Sequence, residues 1–586
     1  MNKIINLALL VVAVLAFTSC RKTFEDHPLT FTSEDYIWDN TDVTGTYARV
    51  FLTKVYSQLP TGYVRINGVI LECASDDAVP SNTTNATWNI VNGGYSPMST
   101  FDDNWSNSYS AIRKVNLFLA NYKRVPWADP LVPQYLGAEA RVLRAFFYYD
   151  MMKRYGGVPL LGNTVFDSND PELFKMKRSS FDACVKYVLG ELDAVKDSLR
   201  PDQTLANRGS GNGTAEGTDN EAGRMRKSIA LAIKAKVLLL AASPLFNPSA
   251  TPEKDYTGYP AFDKERWKAA ADAAKAVMDL NLFALEPNRY TLSTTHVNKE
   301  FILMRFGASY QTTWGNIMSP VGYTVGTTVS NGLISPTQEL VDAFPMKNGK
   351  PISDPTSGYV AATPYANRDP RLDQTVFYNG ATWLTRAGAP TVETWEGGKD
   401  KPNNSSVNGG VQTQTGYYLK KFLANDANKT AFTPVMYHSS VTPTFCLIRY
   451  ADILLMYAEA QNEYSGPDAS VYSAVEAVRQ RAGLVPYTLP QGLLQLPMRE
   501  AIRNELRVEF AFEEHRFYDI RRWKIAKSVY GVPLHGVTIV KNTNGTFTYT
   551  PKTVATPYFN EANMFLLPIA NNEVLVNPSM QQNPNY

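Results

Sequence analysis

Apolar side chains recur every three or four residues along eight stretches of this chain. That spacing marks helices that each bury one stripe. In 105–122 the stripe runs through Trp105, Tyr109, Ile112, Asn116 and Leu119. In 135–155 it is Leu136, Ala140, Leu143, Phe147 and Met151, with Arg141, Arg144 and Lys153 among them. Gly156-Gly157 and then Val158-Pro159 end that helix. The stretch 181–199 repeats the pattern through Val185, Val188, Leu192 and Val195. The stretch 226–240 is apolar on nearly every side except at its lysines, which predicts a helix lodged between others. Ala270, Ala274 and Val277 give 267–280 a close-packing face, and 449–464, 468–482 and 497–527 are predicted helical again. Pairs of helices joined by loops, with Ala, Leu and Tyr at the packing positions, predict a mainly α fold. Its scaffold is one of tetratricopeptide-like helical hairpins, although no strict 34-residue repeat survives.

Two regions break the pattern. Residues 56–103 and 284–440 are rich in Gly, Asn, Ser and Thr and in turn pairs such as Asn331-Gly332, Asn348-Gly349, Asn379-Gly380 and Asn408-Gly409. They hold too many Trp and Tyr for disorder and are expected to form an irregular, loop-rich half that carries function. By contrast 207–223 has no aromatics and reads as a mobile surface loop. The 586-residue chain is 44% hydrophobic, enough for a large core. A net charge of +2 without a polybasic stretch gives no case for a nucleic-acid partner.

The first residues address the chain. Lys3 precedes an apolar run over 4–17, broken only by Asn6 and ending in Phe17-Thr18-Ser19-Cys20. As a helix that run spans only about 21 Å, short of a ~30 Å hydrocarbon core, and it fits a secretory signal. The small residues before Cys20 resemble a lipobox. Residues 1–19 would be removed and Cys20 lipidated; the alternative is an ordinary signal peptide with an incidental cysteine. No other stretch approaches 18 consecutive apolar residues, so membrane contact is expected through the anchor only. The remainder, 20–586, is expected to be a single domain with an N-terminal part of about 20–300 and a C-terminal part of about 301–586. Cys73, Cys184 and Cys446 lack a metal-ligand spacing and can form at most one disulfide.

Catalytic signatures are missing. The chain has no H-E-x-x-H, G-x-S-x-G or Walker A motif, and its five histidines are scattered. The adjacent carboxylates Asp76-Asp77, Asp102-Asp103 and Glu513-Glu514 point apart on a strand or helix, so none is a ready acid/base couple. A long-range pair stays open, but the chain is expected not to be an enzyme.

Five blocks appear in order: GAEARVLRAFFYYD (137–150) running into RYGGVP (154–159), AKVLLLAASP (235–244), RYADILLMYAEA (449–460), ELRVEFAFE (505–513) with RFYDIRRW (516–523), and a tail with Pro568-Ile569, Asn577-Pro578 and QNPNY (582–586). Together they resemble the SusD-like (RagB/SusD) nutrient-uptake lipoproteins of Bacteroidetes. The charged residues of these blocks, Glu139, Arg141, Arg144, Asp452, Glu459, Glu509 and Arg516, lie on helices with apolar faces and are expected to form structural ion pairs. Glu500–Arg503, Glu513–Arg516 and Asp519–Arg522 have helix-face spacing. The resemblance implies an outer-membrane lipoprotein facing the cell exterior, although basic Arg21-Lys22 stand where exported relatives carry acids. It further implies a SusC-like TonB-dependent barrel as partner and an oligo- or polysaccharide as ligand. Capture of peptides, or a structural lid without ligand affinity, are the alternatives. No cofactor is expected; bound calcium, held by some members, has no supporting motif here.

The family's ligand site corresponds here to about 65–100 and 304–330. Aromatic faces cover the C–H patches of sugars, and amides, carboxylates and guanidiniums satisfy their hydroxyls. The candidates are therefore Trp88 and Trp314 as stacking platforms, Tyr310 and Tyr323 to widen the arc, and Asn89, Asn316, Asp77 and Arg305 as hydrogen-bonding groups. Trp383 and Trp395 are held in reserve, and Trp105 is assigned to the core.

Overall fold

The computed structural model describes residues 34–60, 65–167, 169–202, 223–289, 292, 298–306, 318–323, 330–386, 389–402, 406–407, 410–423 and 444–586. Six long helices come first: α1 (Thr46–Tyr56), α2 (Trp105–Asn121), α3 (Leu131–Tyr155), α4 (Phe181–Val195), α5 (Lys227–Ala242) and α6 (Glu265–Met278). Each packs on its predecessor. α7 (Tyr450–Ser465) continues the row on α6, and α8 (Ala469–Ala482) and α9 (Gln495–Glu509) pack on α7. The predicted stripes are the packed faces. α5 buries Ile229, Ile233, Val237 and Leu240 on successive turns. Local chemistry fixes the ends. The Ser180 hydroxyl accepts the Ala183 amide to start α4, and Asp468 caps α8, which Gly483 ends in the left-handed region at φ 86°.

The strands that position the site are β1 (Ala78–Pro80), β2 (Phe301–Phe306), β3 (Ile334–Pro336), β4 (Thr444–Arg449), β5 (Leu534–Lys541) and β6 (Phe547–Ala555). The chain leaves the helical row after α6 and returns to it at α7. β2 and β4 lie at the two ends of that excursion and pair antiparallel, with Arg305 opposite Phe445. β1 pairs with β3, which ties the early irregular region to the late one. A second, smaller core forms here from Val69, Tyr323, Phe377, Trp383, Tyr418, Val537 and Ile539, beside the main helical core. The fold is thus mainly α, with an irregular half mounted on a helical scaffold.

The family-block charges pair as expected. Glu139 meets Arg200 at 3.3 Å and Arg224 at 3.0 Å, while Arg141 and Arg144 share Glu191 at 2.8 and 2.5 Å. Asp452 holds Lys236 at 2.8 Å, and Glu459 holds Arg522 at 2.6 Å. Cys73, Cys184 and Cys446 are free thiols. Most of 207–223, expected to be a surface loop, lies outside the described residues.

One helix differs from expectation. The predicted 497–527 helix breaks after Glu509 and resumes as α10 (Arg516–Arg522) and Ala526–Val529. Phe510 belongs to the helical core, whereas Ala511 and Phe512 belong to the second core. The chain reverses there through positive φ at Phe512 (66°) and Glu514 (62°). The Glu513–Arg516 pair expected from spacing is consequently replaced. Glu513 bonds Arg449 at 2.8 Å and Lys421 at 2.6 Å, and Arg516 bonds Asp76 at 2.7 Å. Glu500–Arg503 and Asp519–Arg522 pair at 3.3 and 2.8 Å, as their spacing predicts.

At this break the two halves are joined by buried charge. Glu509 faces Arg481 at 2.5 Å, Arg449 at 2.7 Å, Arg371 at 3.1 Å and Arg289 at 3.5 Å. Burial alone would raise its pKa, but the four guanidiniums hold the carboxyl well below the ordinary carboxylate range. Removing the charge takes the shared carboxylate from four buried guanidiniums, of which Arg481, Arg449 and Arg371 keep other carboxylate partners, so Glu509→Gln is expected to cost about 3–5 kcal/mol in urea unfolding. Glu500→Gln, on the exposed helix face, is expected to cost less than about 0.5 kcal/mol.

Glu72 lies beside the same break, fully buried, with one oxygen accepting the Glu514 amide. Burial, and then the Glu514 carboxylate, raise its pKa from 4.5 to about 8. The folded chain therefore keeps a proton that the unfolded chain releases near pH 4.5. The stability this group contributes is complete below pH 4.5 and is lost as pH rises to 8. Glu72→Gln is expected to match the parent in thermal unfolding near pH 4 and to exceed it by roughly 2–5 kcal/mol near pH 9.

Candidate ligand-binding face

A polar cavity of about 290 Å³ opens between the end of α1, the start of α2 and β2. Gln58, Arg65, Asp102, Asn104, Asn107 and Arg305 are among the residues lining it. Local structure aims each group. Asp102 sits at φ 49°, turning the chain into α2, and Asp103 accepts the Trp105 amide at 3.0 Å to start that helix. Asn107, one turn on, donates to the Gln58 carbonyl at 2.9 Å and to the Asn104 side-chain oxygen at 2.9 Å. Lys114 reaches the Gln58 amide oxygen at 2.9 Å.

Ion pairs stiffen the floor. Asp102 binds Arg154 at 2.9 Å and also contacts Arg65 and the Tyr518 hydroxyl. Burial opposes its charge, but Arg154 and Arg65 prevail and hold its pKa down to about 2. Arg65 forks onto both oxygens of Glu514 at 2.8 and 2.7 Å. The wall is therefore a pre-oriented set of amides, carboxylates and guanidiniums. Such a wall suits hydroxyl-rich ligands, which both donate and accept.

The turn after Arg65 links this cavity to the Trp88 loop. Asn85 donates to the Asn67 carbonyl at 3.1 Å, and the Thr87 hydroxyl donates to the Ile66 carbonyl at 3.4 Å. Trp88 lies on the short helix Thr87–Val91, half-buried against the main core, with its indole N–H on the Asn82 carbonyl at 2.9 Å. Asn89 beside it is exposed. Gln414 holds this loop to the irregular half by donating to the Ser81 carbonyl at 2.7 Å.

The candidate residues thus separate. Arg305 lines the cavity and donates to the Leu59 carbonyl on its rim, whereas Trp88 and Asn89 lie on the segment that hydrogen-bonds the turn after Arg65. Asp77, expected to meet a ligand, is fully buried in an ion pair with Arg507 at 2.8 Å. Its carboxylate is consumed in fixing β1 to α9. Tyr323, expected to widen the aromatic arc, is only 1% exposed. Its ring lies 4.6 Å from Trp383 and 4.2 Å below the Arg386 guanidinium, and its hydroxyl donates to the Leu384 carbonyl at 3.2 Å. Tyr310, Trp314 and Asn316, like Cys20, lie outside the described residues. Of the reserve pair, Trp383 is buried and Trp395 is half-buried with Lys541 at 5.1 Å over its ring. Trp105 is core, as its stripe predicts. Sequence reasoning missed Arg65, Gln58, Asn104 and Asn107. The one available signal was the polar Asp102–Asn104 run directly before the predicted 105–122 helix.

A smaller adjoining cavity of about 110 Å³ includes Cys446, His515 and Asp452, the residue types of a thiol hydrolase. Their chemistry does not match. The Cys446 thiol points to the Ile448 carbonyl at 3.4 Å, and burial pushes its pKa well above the thiol range. His515 lies 3.7 Å from Asp452 and stacks on Phe510 at 4.2 Å. Burial, and then Lys236, lower its pKa well below the imidazole range, so it is neutral.

Comparison with known proteins follows the same architecture. Residues 299–586 match the model of the SusD family. Residues 50–206 match a second family model, described as starch-binding and associating with the outer membrane. SusD-like protein P38 of Formosa agariphila is 22% identical over 90% of this chain and 93% of its own length. SusD-like protein P2 of the same organism is 36% identical, but over only 17% of this chain and 24% of its own length. A solved SusD-like protein of Bacteroides fragilis is 26% identical, with a TM-score of 0.73 over 94% of this chain and 99% of that one. A solved laminarin-binding SusD-like protein shares the fold at 21% identity, with a TM-score of 0.62 over 93% of this chain and 100% of that one. Two family matches on the two halves, with near-complete structural coverage, make this chain a member of the SusD-like family.

Proposed function

We propose that this chain is a cell-surface lipoprotein of the outer membrane, anchored through Cys20. It captures an oligo- or polysaccharide and passes it to a SusC-like TonB-dependent barrel for import. The observation that carries the glycan reading is the pre-oriented polar cavity, whose Arg65 turn is hydrogen-bonded to the segment bearing a half-buried tryptophan. The laminarin-binding relative of the same fold agrees with it. Trp88 and Trp314 serve as stacking platforms, and Tyr310 widens the arc. Arg305, Asn89 and Asn316 hydrogen-bond the sugar hydroxyls, joined by Arg65, Asn104 and Asn107. The protein binds without transforming its ligand and needs no cofactor.

The test is a binding screen of the mature chain against plant, host and microbial polysaccharides, with a peptide mixture alongside. Binding to one polysaccharide class is expected, weakened about 10- to 100-fold by Trp88→Ala or Trp314→Ala. Binding to peptides alone would overturn the ligand assignment, and unchanged binding in both variants would overturn the site. In cells, Cys20→Ala is expected to release the protein from membranes. Continued pelleting after a high-salt wash would rule out the lipid as its anchor.

A further inference from the structure

α1 is apolar on two faces. One face, Ala48, Leu52 and Val55, is fully buried against the scaffold. The other carries Tyr47 and Val50, one turn apart and 38% and 49% exposed. Three further apolar side chains extend this bare face. Tyr36, on the preceding short helix, is 46% exposed, its ring 4.2 Å from that of Tyr47 and their hydroxyls joined. Val43 is 51% exposed, and its carbonyl accepts the Ala128 amide at 2.9 Å, which draws in the loop leading to Leu131, itself 49% exposed. The Trp127 ring seals the seam by lying against Gly45, where an added Cβ would come within 2.1 Å of it. The result is a fixed apolar corner, not a frayed end.

Exposed apolar side chains gathered at one corner suit a contact surface. The sequence fixes where one partner must be. Thirteen residues, 21–33, separate Cys20 from the first helix at Glu34. Fully extended they reach at most about 45 Å, so a lipid on Cys20 holds this corner near the bilayer. Exposed phenol rings, amphipathic and accompanied by Val and Leu, suit the boundary between headgroups and acyl chains. From this we infer that the Tyr36–Val43–Tyr47–Val50–Leu131 corner rests on the lipid surface as a second, non-covalent contact beside the anchor. The contact holds the protein at a set orientation with its ligand face presented. It rests on the anchored-lipoprotein reading above.

The test uses the mature chain carrying Cys20→Ala, so that no acyl chain contributes, co-sedimented with phosphatidylethanolamine–phosphatidylglycerol vesicles. Adsorption that survives high salt is expected. Tyr47→Ser with Val50→Ser is expected to lower the partition coefficient at least about tenfold. Leu494→Ser, at a 76% exposed leucine on another segment, is expected to leave it unchanged. Unaltered thermal unfolding of the double variant would show that its fold is intact. Absent adsorption, or equal adsorption by parent and double variant, would overturn the inference. If the parent does not adsorb and the double variant instead loses co-purification with the barrel, the corner docks a protein. None of these outcomes bears on the anchor, which the membrane-release experiment tests separately.

Discussion

Glu509 is the residue on which the two halves of this molecule converge. It lies at the end of α9, and its carboxylate is shared by Arg481 of α8, Arg449 at the end of β4, and Arg289 and Arg371 of the irregular half. Arg371 carries the network on to Asp369 and Glu505, and Arg449 carries it to Glu300 and Glu513. Apolar packing tolerates sliding, whereas a guanidinium fork fixes angle as well as distance. Replacing a buried network of this kind by apolar groups can be neutral, but breaking it at one member is costly. Its value here is geometric: it holds an excursion of irregular chain at one orientation on a rigid row of helices.

The ligand face inherits that rigidity. β2 bears Arg305 and is stapled to β4, whose last residue is Arg449. Arg65 is held by Glu514, four residues beyond Phe510 at the same helix break. Asp102 is held by Arg154, on the most deeply buried helix of the scaffold. Two of the cavity groups, Arg65 and Asp102, are thus backed by charge partners. Loops can then vary in chemistry while the frame stays fixed.

Much of the scaffold was legible in the sequence because helical burial imposes a period. The stripes of α2, α3 and α4 are read directly, and charged residues on an apolar stripe, such as Arg144 and Glu459, can only be paired. The break at Phe510–His515 was not legible. A run of adjacent apolar residues does not say that they serve two different cores. The site was legible by region and less so by residue. Trp88, expected in a loop, lies on the short helix Thr87–Val91, and Arg305, expected in the irregular region, lies on β2 and lines the polar cavity. Asp77 and Tyr323 have the right chemistry, but their partners Arg507 and Arg386 are far away in the chain. No local spacing announces such contacts. The cavity amides escaped notice for the complementary reason: Asn104 and Asn107 look like ordinary residues of a helix start.

The central claim is that a fixed helical scaffold presents a separate irregular face to a glycan. Hydrogen–deuterium exchange of the mature chain, with and without a polysaccharide that it binds, tests this most directly. The account predicts added protection confined to the loops around 58–107 and 300–330, with α4, α5 and α6 unchanged. Protection centred on those helices, with the loops unaffected, would contradict it.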